Sequence, residues 1–96
     1  MIQSIADRTT QDIFDGINSK ASRRLPLDLH SRAQRLLDLI NAAGNINDLR
    51  VPPGNRLELL KGDLKGFHSV RINDQWRVIL RWFEGDAHDV QILDYH

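Results

Sequence analysis

Residues 67–86 read FHSVRINDQWRVILRWFEGD, and the order of side chains in this stretch decides the fold. Two sets of side chains alternate through residues 76–83, which is the two-residue period of a β-strand. One face of the predicted strand carries a mostly apolar set: Trp76, Val78, Leu80 and Trp82. The other face carries Arg77, Ile79, Arg81 and Phe83. Because both tryptophans are in phase with the aliphatic residues, we expect them in the core rather than on a base-stacking surface.

Shorter alternating segments on either side of this strand predict an antiparallel meander. Upstream, His68, Val70 and Ile72 share one face, and residues 57–60 alternate in the same way. A final strand is predicted from about Asp89 to Tyr95. Polar or glycine-containing turns separate these segments: Lys61-Gly62-Asp63 with Gly66, Asn73-Asp74-Gln75 and Glu84-Gly85-Asp86. Successive strands joined by short turns pair antiparallel.

The earlier part of the chain has a helical period instead. Ile13, Phe14 and Ile17 follow residues that favour a helix N-cap, and Gly16 with the polar residues 18–20 ends this short helix. A second helix has Pro26 in its first turn and apolar residues at three- and four-residue steps: Leu29, Ala33, Leu36, Leu37 and Ile40. Gly44 is predicted to stop this helix in a left-handed conformation.

Together these segments predict an α+β domain. Ile2 and Ile5 indicate a short N-terminal strand, and residues 45–55, with Pro52-Pro53-Gly54, read as a connecting loop. We expect the two helices to form an antiparallel hairpin that covers the apolar face of the meander. A single domain over residues 1–96 is predicted.

The composition excludes several classes of site. The chain has 96 residues and no cysteine, which removes disulfides, thiolate catalysis and zinc–thiolate centres. No apolar run is long enough to span a bilayer and no secretory signal is recognisable, so a cytoplasmic protein is expected. Thirteen basic residues balance thirteen acidic ones, and this argues against free, promiscuous binding of RNA by bulk charge.

Three groups of residues could carry chemistry. They are Lys61 before a glycine turn, Arg77 on the strand face opposite the tryptophans, and the terminal Asp94-Tyr95-His96. Each also has an ordinary explanation: a solvated turn lysine, a cross-strand partner for a carboxylate and a frayed terminus. A metal site is not predicted, because the possible ligands lack any tight ligand spacing: His68, His88, Asp94 and His96.

Several motifs in order, ending on the last residue, resemble the HigB killer toxins, a branch of the RelE-like ribosome-dependent mRNA interferases. The likeness covers essentially the whole chain, because the helical part agrees with that family's fold. The motifs are Pro52-Pro53-Gly54-Asn55-Arg56-Leu57-Glu58, Leu60-Lys61-Gly62-Asp63, Gly66, His68-Ser69, residues 71–77 and Asp94-Tyr95-His96.

The resemblance implies cleavage of mRNA in the ribosomal decoding site without a metal or cofactor. The ribose 2′-hydroxyl would attack the adjacent phosphate in line, and Lys61 and Arg77 would stabilise the phosphorane. Tyr95 and His96 would handle protons or stack on a base, and Asp94 would orient or tune His96.

Glu58 departs from this pattern, because some HigB toxins carry a histidine at the matching position. A glutamate could act as a general base or merely pair with Lys61 or Arg77. Our working assignment takes His96 as the acid or base and Glu58 as an auxiliary base.

The resemblance also implies partners. The ribosome presents mRNA already threaded, so a neutral toxin need not capture RNA by itself. Lys65, Arg71 and Arg81 are the candidates for contacts with mRNA or ribosomal RNA. The expected protein partner is a HigA-type helix-turn-helix antitoxin, through which alone operator DNA would be bound, and no membrane partner is expected. The alternative function is a non-enzymatic or degenerate toxin fold that acts only as an antitoxin-binding co-repressor subunit.

Overall fold

A four-stranded antiparallel sheet forms one layer of the computed structural model, which describes residues 1–95. Its strands follow one another in chain order: β1 Glu58–Leu59, β2 His68–Arg71, β3 Trp76–Phe83 and β4 Asp86–Asp94. Each pairs antiparallel with its neighbour. The predicted meander and the α+β class are therefore confirmed, although the first strand has only two residues.

The hairpin between β3 and β4 is tighter than the sequence predicted. Glu84 and Gly85 both adopt positive φ, 50° and 80°, and form a two-residue turn of the kind that suits the twist of paired strands. Asp86 is consequently the first residue of β4 and not part of the turn, so the predicted start at about Asp89 was wrong. Asp89, with φ 52°, lies where the pairing register shifts by one residue.

Two helices form the second layer. Helix α1 spans Arg8–Phe14, and the Asp7 side chain caps it by accepting a hydrogen bond from the Thr10 backbone N–H at 2.9 Å. Helix α2 spans His30–Ala42 and follows a short 3₁₀ turn, Leu27–Leu29, that begins after Pro26. The two helices pack against each other, α1 against β4 and α2 against β3.

Helices α1 and α2 are both followed by a glycine, but only the glycine after α1 has a left-handed conformation. Gly16, just beyond α1, has φ 72° and donates its N–H to the Ile13 carbonyl at 3.1 Å. The left-handed stop predicted at Gly44 was wrong, because α2 ends through an extended Ala43. Gly44 instead donates its N–H to the Asp48 carboxylate, which belongs to the cap of the next 3₁₀ turn, Ile46–Arg50.

The N-terminal segment extends the sheet at β4. Ile2 and Ile5 form isolated parallel bridges with Ala87 and Val90, supported by backbone hydrogen bonds of 2.8–3.1 Å. The predicted short strand is thus present as two bridges rather than as a continuous ladder. The register shift at Asp89 separates the two β4 residues that these bridges use.

The core lies between the helices and one face of the sheet. Its buried residues include Ile13, Leu37 and Ile40 from the helices and Val78 and Leu80 from β3. Trp76 and Trp82 pack against this core, as predicted. The other face of the sheet, called the open face below, carries Glu58, Ser69, Arg71, Arg77, Ile79, Arg81, Phe83, Gln91, Leu93 and Tyr95.

Within residues 1–95, no helix is long and apolar enough to cross a membrane.

Candidate active site

Arg77 lies on the open face near the start of β3, between Arg71 of β2 and Leu93 of β4 in the register of the sheet. Its Nη1 donates a hydrogen bond of 2.6 Å to the backbone carbonyl of Asn73. Because that acceptor is neutral, this contact orients the guanidinium without cancelling its charge. The other guanidinium N–H groups can be offered to an anion in a fork that matches a phosphate.

Tyr95 is brought to Arg77 by the pairing of β3 with β4. The Tyr95 N–H donates to the Gln75 carbonyl at 2.6 Å, which fixes the backbone just beyond β4. The Arg77 guanidinium carbon then lies 5.8 Å from the centroid of the Tyr95 ring, within the range of a cation–π contact. The two predicted site residues therefore lie together.

Asp94 lies on the opposite face of β4 from Tyr95. Its register partner is Trp76, and it accepts a hydrogen bond of 3.1 Å from the Gln75 side chain. The structure does not bring its carboxylate to the face that carries Arg77. His96 lies outside the described residues, so the role predicted for Asp94 in orienting it stays a prediction.

Arg71 is adjacent to Arg77 on the open face but is engaged with an acid. Its Nη2 lies 2.6 Å from Asp74 Oδ1 in an ion pair within the β2–β3 turn. This hydrogen bond, followed by the Arg71 charge, holds the pKa of the Asp74 carboxyl below its ordinary value. The pair ties the turn to β2 and offsets part of the Arg71 charge at this end of the sheet.

Glu58 lies at the edge of the open face on β1, opposite Ser69. It is exposed, and it is separated from Arg77 by β2 and by two residues along the strands. With strands about 4.8 Å apart and about 3.4 Å per residue, the two Cα atoms are roughly 12 Å apart. Glu58 and Arg77 thus lie on the same face of the sheet, on either side of β2.

Lys61 and Lys65 bracket a short 3₁₀ turn, Gly62–Leu64, after β1. Both lysines are exposed. Together with Leu59, Leu60 and two glycines they line an open depression of about 470 Å³. Its floor is largely aliphatic and its rim carries two positive charges, a combination that suits an anionic ligand with an apolar part.

Arg81 lies farther along β3 and stacks on an aromatic ring. Its guanidinium carbon is 4.1 Å from the centroid of Phe67, and its Nε lies 3.5 Å from Asp89 Oδ2. Arg81 is therefore held on two sides while its side chain remains 48% exposed.

His68 belongs to the other side of β2. It shares a face with the core residue Val70, and its Nδ1 is buried without a hydrogen-bond partner. Burial, followed by the charge of Arg50, lowers the pKa of the His68 imidazole.

Within residues 1–95 no three histidine, aspartate or glutamate side chains come together in a group that could hold a metal ion.

Three residues that position the site were not foreseen. Asn73 accepts hydrogen bonds from the N–H groups of Gln75 and Trp76 through its side chain, besides holding Arg77 through its carbonyl. Arg32 of α2 reaches the Ile72 carbonyl at 2.6 Å and so secures the end of β2. Phe67 supports Arg81. Only Asn73 had a recognisable signal, as the first residue of a polar turn.

Comparison with known proteins places this arrangement in a family. The sequence model described as the RelE-like toxin of the type II toxin–antitoxin system HigB matches residues 4–96. The chain belongs to the HigB-like toxins. Membership of a toxin–antitoxin family implies an antitoxin partner.

Three curated proteins resemble the chain over most of its length. Toxin HigB-1 of Vibrio cholerae serotype O1 is 43% identical over 87 residues, covering 91% of this chain and 90% of that protein. Endoribonuclease HigB of Proteus vulgaris is 29% identical over 97 residues, covering 100% of both chains. An uncharacterised Haemophilus influenzae protein is 38% identical over 73 residues, covering 76% of this chain and 71% of that protein.

Solved structures confirm the fold of this HigB-like chain. YafQ from E. coli strain BL21(DE3) aligns with a TM-score of 0.57 at 14% identity, covering 98% of this chain and 93% of that one. A YafQ mutant from E. coli aligns with the same TM-score at 17% identity and the same coverage. The arrangement of helices and sheet is thus shared with these two structures.

Proposed function

We propose that this HigB-like toxin is a ribosome-dependent, metal-independent endoribonuclease that cleaves mRNA in the decoding site and so inhibits translation. The observation that carries the proposal is the Arg77–Tyr95 pair on the open face. Arg77 is held by a neutral carbonyl at 2.6 Å and lies 5.8 Å from the Tyr95 ring, so a cation and an aromatic ring are fixed beside one another. Phosphate and base are the two groups that RNA offers to such a pair.

The cleavage chemistry uses the RNA's own nucleophile. The 2′-hydroxyl oxygen attacks the adjacent phosphorus, its proton passes to an acceptor, and the bond from phosphorus to the 5′-oxygen breaks. A 2′,3′-cyclic phosphate forms, and the leaving 5′-oxygen takes up a proton. Arg77 and Lys61 stabilise the charge of the phosphorane, as preorganised donors do in other transition states. His96 is proposed as the acid or base, tuned by Asp94, with Glu58 as an auxiliary base at the sheet edge.

The distribution of charge supports delivery of mRNA by the ribosome. The chain has no net charge, so bulk attraction of RNA is weak. Arg71, Arg77 and Arg81 nevertheless share the open face. Asp74 and Asp89 offset two of these charges. A weakly attractive face of this kind suits a strand that is already threaded and held, with Lys65, Arg71 and Arg81 touching mRNA or ribosomal RNA.

The partners follow from the same proposal. The toxin acts in the cytoplasm, where ribosomes translate, and is restrained by a HigA-type helix-turn-helix antitoxin. Operator DNA is bound by the complex through the antitoxin, because the sequence contains no recognisable DNA-reading motif.

Expression of the chain without an antitoxin tests the proposal in cells. The wild type should arrest growth and generate new mRNA 5′ ends, and Arg77→Ala should do neither. Arg23→Ala is the matched control, since it removes one exposed arginine from the turn that precedes α2, away from the open face. Unimpaired growth with folded wild-type protein would instead support the alternative, a non-enzymatic antitoxin-binding co-repressor subunit.

A further inference from the structure

Arg81 and Phe67 form a second cation–aromatic pair on the open face, beyond the Arg77–Tyr95 pair. The guanidinium lies 4.1 Å from the Phe67 centroid, close enough for contact with the ring. Asp89 approaches Arg81 at Nε, from 3.5 Å. This contact is an ion pair rather than a hydrogen bond, and it leaves the Arg81 side chain 48% exposed. Arg81 therefore offers a preformed flat surface.

Gly66 makes room for this stack. Its φ of 93° is unfavourable for other residues, and a Cβ built on it would lie 3.1 Å from Arg81 Nη1. A side chain at residue 66 would thus crowd the guanidinium and require it to shift by a few tenths of an ångström. The same glycine lines the depression rimmed by Lys61 and Lys65. The flat surface and the depression are therefore adjacent.

Arg81 lies on the same face of β3 as Arg77 but farther along the strand. The two arginines are four residues apart on one strand face, or about 13 Å at roughly 3.3 Å per residue. Arg81 lies in line with Arg77 along β3, and its guanidinium is already engaged with Phe67 and Asp89. Two residues farther, the exposed Phe83 ring packs edge-on against His88 with centroids 6.1 Å apart. The Arg81 guanidinium and the Phe83 ring are therefore successive planar groups on the same face of β3.

The Asp89 contact distinguishes between two kinds of RNA contact. A phosphate approaching Arg81 would compete with the Asp89 carboxylate, which lies 3.5 Å from Nε, for the charge of the guanidinium. A nucleobase stacked on the guanidinium would not, because an uncharged base need not displace the carboxylate. Guanidinium planes and aromatic rings are surfaces on which unpaired bases stack in RNA recognition.

We propose that Arg81, stacked on Phe67 and aligned by Asp89 and Gly66, is a stacking platform for one unpaired mRNA base adjacent to the cleaved linkage. This inference rests on the proposed nuclease function. It assigns Arg81 to a base rather than to a phosphate, and it gives Phe67 and Gly66 a part in positioning substrate.

A scan of abasic mRNAs on programmed ribosomes tests the platform. One nucleotide at a time around the cleaved linkage is replaced by its abasic analogue, and kcat/KM is measured for wild type, Arg81→Lys and Gly66→Ala. Arg81→Lys keeps the charge but removes the plane. The wild type should lose about tenfold at one flanking position, consistent with the energies of base stacking. Arg81→Lys should lose about tenfold on intact mRNA and be insensitive to the abasic analogue at that same position.

Gly66→Ala should show the same insensitivity, and Arg23→Lys should behave as wild type at every position. Melting temperatures of all variants identify any loss that reflects folding. Wild-type cleavage with no change in Arg81→Lys, or with retained sensitivity of Arg81→Lys at that position, would overturn the platform and leave the nuclease proposal intact. A wild type that cleaves no mRNA at all would overturn the nuclease proposal, and the platform with it.

Discussion

The guanidinium carbon of Arg77 lies 5.8 Å from the centroid of the Tyr95 ring, although the two residues are 18 positions apart in sequence. The pairing of Trp76 with Asp94 and of Arg77 with Leu93 brings them together. The hydrogen bond from the Tyr95 N–H to the Gln75 carbonyl extends that register by one residue. Tyr95 can therefore hold the Arg77 side chain over the open face only while the end of β4 stays paired.

Replacement of Arg77 should abolish cleavage without unfolding the chain. Arg77→Ala removes a preorganised donor, and the loss of one such donor lowers turnover by about 10²–10³-fold. Arg77→Lys should recover part of the activity, because it keeps the charge but not the two-pronged geometry. Single-turnover cleavage on programmed ribosomes, together with melting temperature, measures both. Cleavage by Arg77→Ala at the wild-type rate would remove Arg77 from the mechanism.

Replacement of Tyr95 separates its ring from its hydroxyl. Tyr95→Phe keeps the face that contacts Arg77, so turnover should stay within about threefold of wild type. Tyr95→Leu removes a contact of about 0.5–1 kcal/mol, equivalent to roughly two- to fivefold, and frees Arg77 from its alignment. We therefore expect at least a fivefold decrease for Leu. A loss in Tyr95→Phe as large as the loss in Tyr95→Leu would instead identify the hydroxyl as a proton donor.

The auxiliary role of Glu58 predicts a change in turnover rather than in binding. Glu58→Gln keeps the size and polarity of an exposed side chain but cannot accept a proton at neutral pH. We expect kcat to fall about tenfold, less than the roughly 10²–10⁴-fold of a principal general base because the role of Glu58 is auxiliary, with KM unchanged. Unchanged turnover in Glu58→Gln would show that Glu58 is not an auxiliary base and has no role in the cleavage step.

His68 predicts a pH dependence of stability that is independent of the active site. Its pKa is lowered in the folded chain by burial and by Arg50, so the folded state binds fewer protons than the unfolded state. This contribution to stability is complete above the unfolded pKa of about 6.5 and is lost as the pH falls through the lowered value. The melting temperature of wild type should therefore decrease more between pH 8 and pH 5 than that of His68→Leu. Parallel curves for the two proteins would contradict this.

The sequence predicted the layers of the fold because each layer has a strong period. Residues 76–83 alternate without interruption, and both tryptophans pack where their phase indicated. The details that failed depend on single backbone torsions. Gly16 and Gly44 both lie just beyond a helix, yet of the two only Gly16 adopts the left-handed conformation. Gly44 instead donates its N–H to the Asp48 carboxylate.

The candidate site was predictable in its residue types but not in its arrangement. Arg77 and Tyr95 were both predicted as site residues, and the register of β3 and β4 brings them together but places Asp94 on the other face. The Arg81–Phe67 stack could not be foreseen, since it requires both the β2–β3 register and the positive φ of Gly66. The proposed catalytic roles remain predictions.

Mapping of mRNA 5′ ends in a cell-free translation reaction tests directly whether this chain is a ribosome-dependent endoribonuclease. Purified wild type, Arg77→Ala and Arg23→Ala are compared with and without ribosomes, and the products are examined for a 2′,3′-cyclic phosphate. We expect in-frame cuts for wild type and Arg23→Ala that require ribosomes and that vanish in Arg77→Ala. Folded wild-type protein that makes no cuts, or cuts equally well without ribosomes, would contradict this expectation.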